Sequence, residues 1–153
     1  PVLMADLRVE ELSASTIVGV NTLSLKPGQE RFVTPESYAI AATVVDPATS
    51  WQRVILDGDE VVGFVSAGFD ADAPHEHFRS VLWRINVDAD DQGRGVGRYA
   101  VDQLIDEARA RGFDHVNVIY EAGEGGPDAF FQRVGFTPVD ETEYGEVVAQ
   151  IKL

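Results

Sequence analysis

The chain has 153 residues, of which 44% are hydrophobic, and 26 acidic against 12 basic side chains give it a formal net charge of -14. This length and apolar content predict a single domain spanning residues 1–153. The negative charge repels nucleic-acid phosphates and anionic lipid headgroups, so we expect neither nucleic acid nor membrane as a partner. The absence of cysteine excludes disulfides and thiolate metal sites, and no signal peptide or membrane-length apolar run is found, so a cytoplasmic protein is expected.

The first part of the chain predicts two strands flanking two helices, followed by a third strand. The elements are a strand at 7–12, a helix from Ser13 or Ser15 to residue 25, a helix at 35–45, and strands at 51–56 and 60–67. Pro27-Gly28 and Pro47 end the two helices. The turn Asp57-Gly58-Asp59 is typical of a β-hairpin joining the last two strands.

The second part predicts alternating strands and helices. Apolar alternation predicts a strand at 81–87, and helical spacing of apolar residues predicts a helix from Val96 that Gly112 ends. A strand at 116–120, a short helix at 128–134 and strands at 137–139 and 146–153 follow. The order β-α-α-β-β-β-α-β-α-β-β is typical of an α/β fold with a mixed sheet and helices on its faces.

Glycine occupies every second position from Gly93 to Gly97, between a predicted strand and a predicted helix. A helix start offers backbone N–H groups without intrahelical acceptors, and glycines let an anion approach them. Arg94 and Arg98 add local positive charge for phosphate oxygens. The stretch therefore predicts a phosphate-binding loop.

Two familiar phosphate-binding loops do not match this stretch. The P-loop requires Lys-Ser or Lys-Thr after its last glycine, where the chain has Arg98-Tyr99. The dinucleotide fingerprint requires glycine at position 98. A flexible loop with a glycine-relaxed helix cap is the structural alternative, and it is disfavoured because each glycine in a helix costs ~1 kcal/mol relative to alanine.

The run Gln92-Gly93-Arg94-Gly95-Val96-Gly97 resembles the Q-x-x-G-x-G/A acyl-CoA motif of the GNAT superfamily of N-acetyltransferases. The segment "GGPDAFFQRVGF" resembles the later short helix of that family with its Gly-Phe pair. The element order is also that of the family, whose central sheet has about seven mostly antiparallel strands with helices on both faces. The stretches "LSLKPGQERFVTPESYAIA" and "VLWRINVDADDQGRGVG" are similar to its polyamine or diamine acetyltransferase branch.

The resemblance implies acetyl-CoA as cosubstrate, no metal, and direct attack of an amine on the thioester. It implies that backbone amides hold the pyrophosphate and that the pantetheine arm lies between the strand ending at Val87 and the strand 116–120. The cofactor-binding residues that it implies are Ile85, Asn86, Val87, Gln92, Gly93, Arg94, Gly95, Val96, Gly97, Arg98 and Phe131.

Phe131 departs from the family pattern, in which a tyrosine commonly stands four residues before the glycine of the Gly-Phe pair. Phenylalanine can line the thioester pocket but cannot protonate the leaving thiolate. Tyr120, Tyr144 or water are the candidate replacements for the missing acid. A thiolate is also a tolerable leaving group that can depart unaided.

The loop at 67–80 concentrates acidic residues and histidines near where the family's acceptor enters. Its carboxylates would attract an ammonium group, and Glu76 is a candidate general base acting through water. A solvated acidic loop without chemistry is the alternative. His75 and His77 lack a clear third ligand, so they predict no metal site.

These features predict an acetyl-CoA-dependent N-acetyltransferase acting on a small cationic amine such as a polyamine. A non-catalytic acyl-CoA-binding sensor, which Phe131 would explain, is one alternative, and acetylation of a protein amine is another. The predicted C-terminal strands can pair across a homodimer, as exposed sheet edges tend to.

Overall fold

A computed structural model describes residues 7–11, 13, 48–88, 95–123 and 126–153. The strands are β1 (Leu7–Glu10), β2 (Ser50–Asp57), β3 (Glu60–Phe69), β4 (Ser80–Val87), β5 (His115–Tyr120), β6 (Thr137–Glu141) and β7 (Val147–Lys152). The helices are α1 (Val96–Ala110) and α2 (Asp128–Arg133), and Glu76–Phe78 forms a 3-10 turn. The helices predicted at 13–25 and 35–45 lie outside the described residues.

The seven strands form one sheet in the order β1-β2-β3-β4-β5-β7-β6. Every neighbouring pair is antiparallel except β4 with β5. The predicted mixed, mostly antiparallel sheet of seven strands is therefore confirmed. Among the described residues, no helix is long and apolar enough to cross a membrane.

Helix α1 forms because its apolar residues fall on one stripe that the sheet can cover. Its buried residues are Val96, Ala100, Val101, Leu104 and Ala108, which recur at the spacing that places side chains on one helix face. On the other side, Arg111 pairs with Glu107 one turn earlier at 2.7 Å. The helix packs on β3, β4 and β5, and this contact forms the main core.

The two faces of the sheet carry different clusters. The face that α1 covers buries residues from β2 to β5, β7 and α2 in one continuous core. A second cluster of Val54, Leu56 and Phe64 is separate from it. Since side chains alternate along a strand, neighbouring residues of β2 and β3 contribute to opposite faces.

The parallel ladder between β4 and β5 is short. It consists of the pairs Val81 with Asn117 and Leu82 with Val118. Beyond it β4 continues to Val87 alongside β3, while β5 continues to Tyr120 alongside β7. The two strands therefore separate toward their C-terminal ends and leave a cleft between them.

A β-bulge lies where this cleft begins. The register between β3 and β4 shifts between Ser66 and Ala67, which pair with Arg84 and Leu82, so Trp83 is the extra residue of β4. A bulge bends its strand and increases the local twist. The bend accompanies the departure of β4 from β5, because the last shared pair is at Leu82.

Gly97 is expected to tolerate alanine poorly, although alanine usually stabilises a helix by ~1 kcal/mol relative to glycine. A Cβ at this position would lie 2.8 Å from Cε1 and 2.9 Å from Cζ of Phe130. The ring must move, and such overpacking typically costs about 1–3 kcal/mol. We expect Gly97→Ala to lower the free energy of unfolding in urea by about 1 kcal/mol.

Phe130→Leu provides the matched background for this measurement, because it removes the ring atoms that the new methyl group would meet. In that background Gly97→Ala should raise the free energy of unfolding. Equal effects of Gly97→Ala in both backgrounds would contradict the packing explanation.

Candidate active site

The first turn of α1 lies beside the end of β4. Gly95 precedes the helix with a φ of 89° and its carbonyl accepts a hydrogen bond from the Tyr99 N–H at 3.0 Å. A Cβ on Gly97 would lie 3.8 Å from Cγ2 of Val87. The helix start and the C-terminal end of β4 are therefore in van der Waals reach of each other.

The start of α1 has the electrostatic properties of an anion site. The N-cap residue Gly95 makes no side-chain capping hydrogen bond, and the first turn of the helix contains no acidic residue. The N–H groups of the first turn lack intrahelical acceptors, and the helix dipole places partial positive charge there. Val96 is buried and can offer only its backbone, whereas Arg98 is exposed and adds a cation.

Gly95 and Gly97 have different structural roles. Gly95 lies outside the helix in a left-handed conformation that glycine adopts without a steric penalty. Gly97 is helical and lets the Phe130 ring approach the helix backbone. The predicted residues Gln92, Gly93 and Arg94 lie outside the described residues.

The last residues of β4 alternate between the two faces of the sheet. Ile85 and Val87 pack against the core that α1 covers. Asn86 is paired across the ladder with Phe64, which belongs to the second cluster. Oδ1 of Asn86 is buried and has no hydrogen-bond partner among the described residues.

Tyr120, at the end of β5, packs on Phe131 of α2. The two rings are stacked with centroids 5.2 Å apart, and Phe131 makes edge contacts with Phe130 and Phe136. Burial, followed by the negative charge of Asp128, raises the pKa of the Tyr120 phenol above its usual value. The phenol therefore stays protonated at neutral pH and beyond.

Asp128 was not predicted from the sequence. It is the first residue of α2, and its Oδ1 atom is buried without a hydrogen-bond partner among the described residues. The one available signal was its spacing of three residues from Phe131, which places both on one face of the helix.

Most of this chain matches the sequence pattern of a known protein family. The description of that family is "Acetyltransferase (GNAT) family", and the match covers residues 15–136. The chain belongs to the GNAT acetyltransferase family. This confirms the family resemblance carried by the glycine-rich motif and the Gly-Phe helix.

Two curated GNAT relatives are longer than this chain. The chain is 35% identical over 104 residues to mycothiol acetyltransferase of Beutenbergia cavernae, a match that covers 67% of this chain and 33% of the relative. It is 30% identical over 81 residues to L-2,4-diaminobutyric acid acetyltransferase of Shouchella clausii, covering 53% of this chain and 44% of the relative. The matches thus span less than half the length of either relative.

A solved structure supports the same fold. The PaiA N-acetyltransferase of Thermoplasma acidophilum, crystallised with coenzyme A, is similar with a TM-score of 0.71 and 11% identity. The likeness covers 97% of this chain and 99% of that one. At this identity the comparison shows that the two chains share the GNAT fold.

The other predicted catalytic residues of this GNAT chain lie elsewhere. Tyr144 is 72% exposed in the turn between β6 and β7. Glu76 lies in the 3-10 turn that precedes β4. The carbonyl of the neighbouring His77 accepts a hydrogen bond from the side-chain amide of Asn117 in β5 at 3.2 Å.

The histidines near Glu76 contact each other and an aspartate. The rings of His75 and His77 are 4.8 Å apart, and Nε2 of His77 lies 3.3 Å from Oδ2 of Asp140. Within the described part of the chain, no group of three or more potential ligands is arranged to hold a metal ion.

Because the pKa of Tyr120 is raised in the folded state, the free energy of unfolding depends on pH in the alkaline range. The folded state keeps the phenol proton to higher pH than the unfolded chain, so this contribution is complete below the unfolded pKa and is lost as pH rises through the folded pKa. Above about pH 10 the free energy of unfolding of the wild type should therefore fall more steeply than that of Tyr120→Phe.

Urea titrations at several pH values from about 8 to about 11 would measure this slope. Tyr144→Phe is the matched control, because Tyr144 is exposed, and it should follow the wild type. Parallel curves for wild type and Tyr120→Phe would contradict the raised pKa.

Proposed function

We propose that this chain transfers the acetyl group of acetyl-CoA to a primary amine. The observation that carries the proposal is the cleft between β4 and β5, which opens beside the positively polarised start of α1. A long, narrow ligand with a phosphate group at one end fits this arrangement. Acetyl-CoA has that shape and supplies the activated acetyl group as a thioester.

The residues around the cleft suit such a ligand. The first-turn amides of α1 and the side chain of Arg98 would bind the pyrophosphate, together with Gln92, Gly93 and Arg94 of the motif. Ile85, Asn86 and Val87 would lie along the pantetheine arm. Phe131 would contribute an apolar wall for the thioester.

Tyr120 is the best candidate to donate a hydrogen bond to the departing thiolate. Its ring stacks on Phe131, the residue that stands where the family commonly has tyrosine. A hydroxyl on Tyr120 can therefore serve the pocket that Phe131 lines. The exposed Tyr144 has no comparable position.

A small cationic amine, such as a diamine or polyamine, is the acceptor that we propose. The net charge of -14 favours cations, and one relative is named for a diamino acid. Glu76 is the general base that we propose, acting through water. An acyl-CoA sensor is the second candidate, because Phe131 lacks the usual acidic hydroxyl.

A thiol-release assay with acetyl-CoA separates the two candidates. The panel contains 1,4-diaminobutane, spermidine, 2,4-diaminobutyrate and a basic peptide with a free N-terminus. Turnover of an amine supports the transferase. Binding of acetyl-CoA by calorimetry without turnover of any amine favours the sensor.

Arg98→Gln should weaken the binding of coenzyme A about threefold to tenfold at low salt, because it removes a cation next to the phosphate site. The loss should shrink at high salt, where screening already weakens such contacts. Arg109→Gln is the matched control, since Arg109 lies in the last turn of the same helix. Calorimetry showing equal effects of both substitutions would contradict the placement of the phosphates.

Tyr120→Phe should lower kcat about tenfold or more while leaving the affinity for acetyl-CoA nearly unchanged, because the hydroxyl acts mainly on the thiolate that forms during transfer. Tyr144→Phe should retain wild-type kcat. Phe131→Tyr should restore part of the activity in the Tyr120→Phe background, since it places a hydroxyl in the same pocket. Unchanged kcat in Tyr120→Phe would exclude Tyr120 as the donor.

A further inference from the structure

Asp128, the first residue of α2, has a buried polar atom. Oδ1 of Asp128 is buried and accepts no hydrogen bond from the described residues. Leaving such an atom unsatisfied typically costs about 1–3 kcal/mol, and more for a charged group. Buried acceptors of this kind are expected to have a role that compensates for their cost.

Helix capping and an ion pair within α2 do not explain this carboxylate. Pro127 is the N-cap residue of α2, and no side chain makes a capping hydrogen bond there. The basic residue of the helix, Arg133, is in its last turn and places its guanidinium 6.0 Å from the centre of the Phe130 ring. Neither contact uses the Asp128 carboxylate.

Asp128 lies on the same face of α2 as Phe131, the residue that contacts Tyr120. Asp128 and Phe131 are three residues apart in α2 and therefore share a helix face. The Phe131 ring stacks on the Tyr120 ring. The Asp128 charge also contributes to the raised pKa of the Tyr120 phenol, as expected when a carboxylate lies near a phenol that would acquire the same charge.

We propose that Asp128 is a positioning residue that accepts a proton from the Tyr120 hydroxyl during acetyl transfer and then returns it. This inference rests on the transferase function proposed above. The two groups are not hydrogen-bonded in this structure, and catalytic hydrogen bonds often tighten only when substrates are bound.

The proton transfers balance in two steps. The acceptor enters as a neutral amine, its first proton having gone to solvent. As the new C–N bond forms, the amine nitrogen gives a proton to the phenol oxygen of Tyr120, whose own proton passes to Asp128. When the C–S bond breaks, its electron pair stays on sulfur, and the proton returns from Asp128 through Tyr120 to the sulfur.

Asp128→Asn tests this role with little change in shape. With the most active amine of the panel, kcat should fall about tenfold and no further than in Tyr120→Phe, because Asp128 acts through Tyr120, while the affinity for coenzyme A stays within about twofold. The double variant Asp128→Asn/Tyr120→Phe should have the same kcat as Tyr120→Phe alone, because both substitutions interrupt the same proton path. Unchanged kcat, or losses that simply add, would overturn the proposal.

Two further measurements separate proton exchange from a merely structural role. Asp128→Glu keeps a carboxylate and should retain more activity than Asp128→Asn. An absorbance titration of tyrosine, with Tyr120→Phe subtracted to isolate Tyr120, should show a lower phenol pKa in Asp128→Asn than in the wild type. An unchanged phenol pKa would overturn the coupling between the two groups.

Asp106→Asn is the matched control, because Asp106 is an exposed aspartate of α1, and it should leave kcat and the phenol titration unchanged. These measurements distinguish a failure of the proposed transferase function from a failure of the proposed role of Asp128. A wild type that acetylates no amine overturns both. A wild type that is active, with Asp128→Asn equally active, overturns only the role of Asp128.

Discussion

β4 and β5 share a ladder of two residue pairs before each strand continues with a different partner. β4 remains hydrogen-bonded to β3 as far as Val87, and β5 remains hydrogen-bonded to β7 as far as Tyr120. Because each strand stays hydrogen-bonded to its other neighbour, β4 and β5 can separate from each other and still remain strands of the sheet. The candidate active site depends on this separation.

The separation also determines what lies at the mouth of the cleft. β4 ends at Val87, and the start of α1 lies beside that strand end. The close packing of Gly97 on Phe130 brings α1 against α2. The two helices therefore approach the cleft together, α1 with its first-turn amides and α2 with Phe131 and Asp128.

The aromatic cluster at α2 is the part of the fold on which the proposed role of Tyr120 depends. Phe131 is surrounded by Tyr120, Phe130 and Phe136, so its ring is held as part of the core. A hydroxyl at position 131 would enter an apolar environment, where it needs a partner to offset its desolvation. Tyr120 of β5 is the proposed source of the hydroxyl instead, and the charge of Asp128 contributes to the raised pKa of its phenol.

The sequence predicted the order of elements from residue 48 onward, the apolar stripe of α1 and the hairpin after Asp57. Local patterns suffice for these features, because hydrophobic periodicity and turn residues act between near neighbours in the chain. The glycine-rich motif likewise predicted a helix start suited to an anion. Only the tertiary structure decided that Gly97 makes room for Phe130, that Tyr120 stacks on Phe131, and that the Oδ1 atom of Asp128 is buried. These facts depend on strand order, register and packing between residues distant in the chain, which local patterns do not encode.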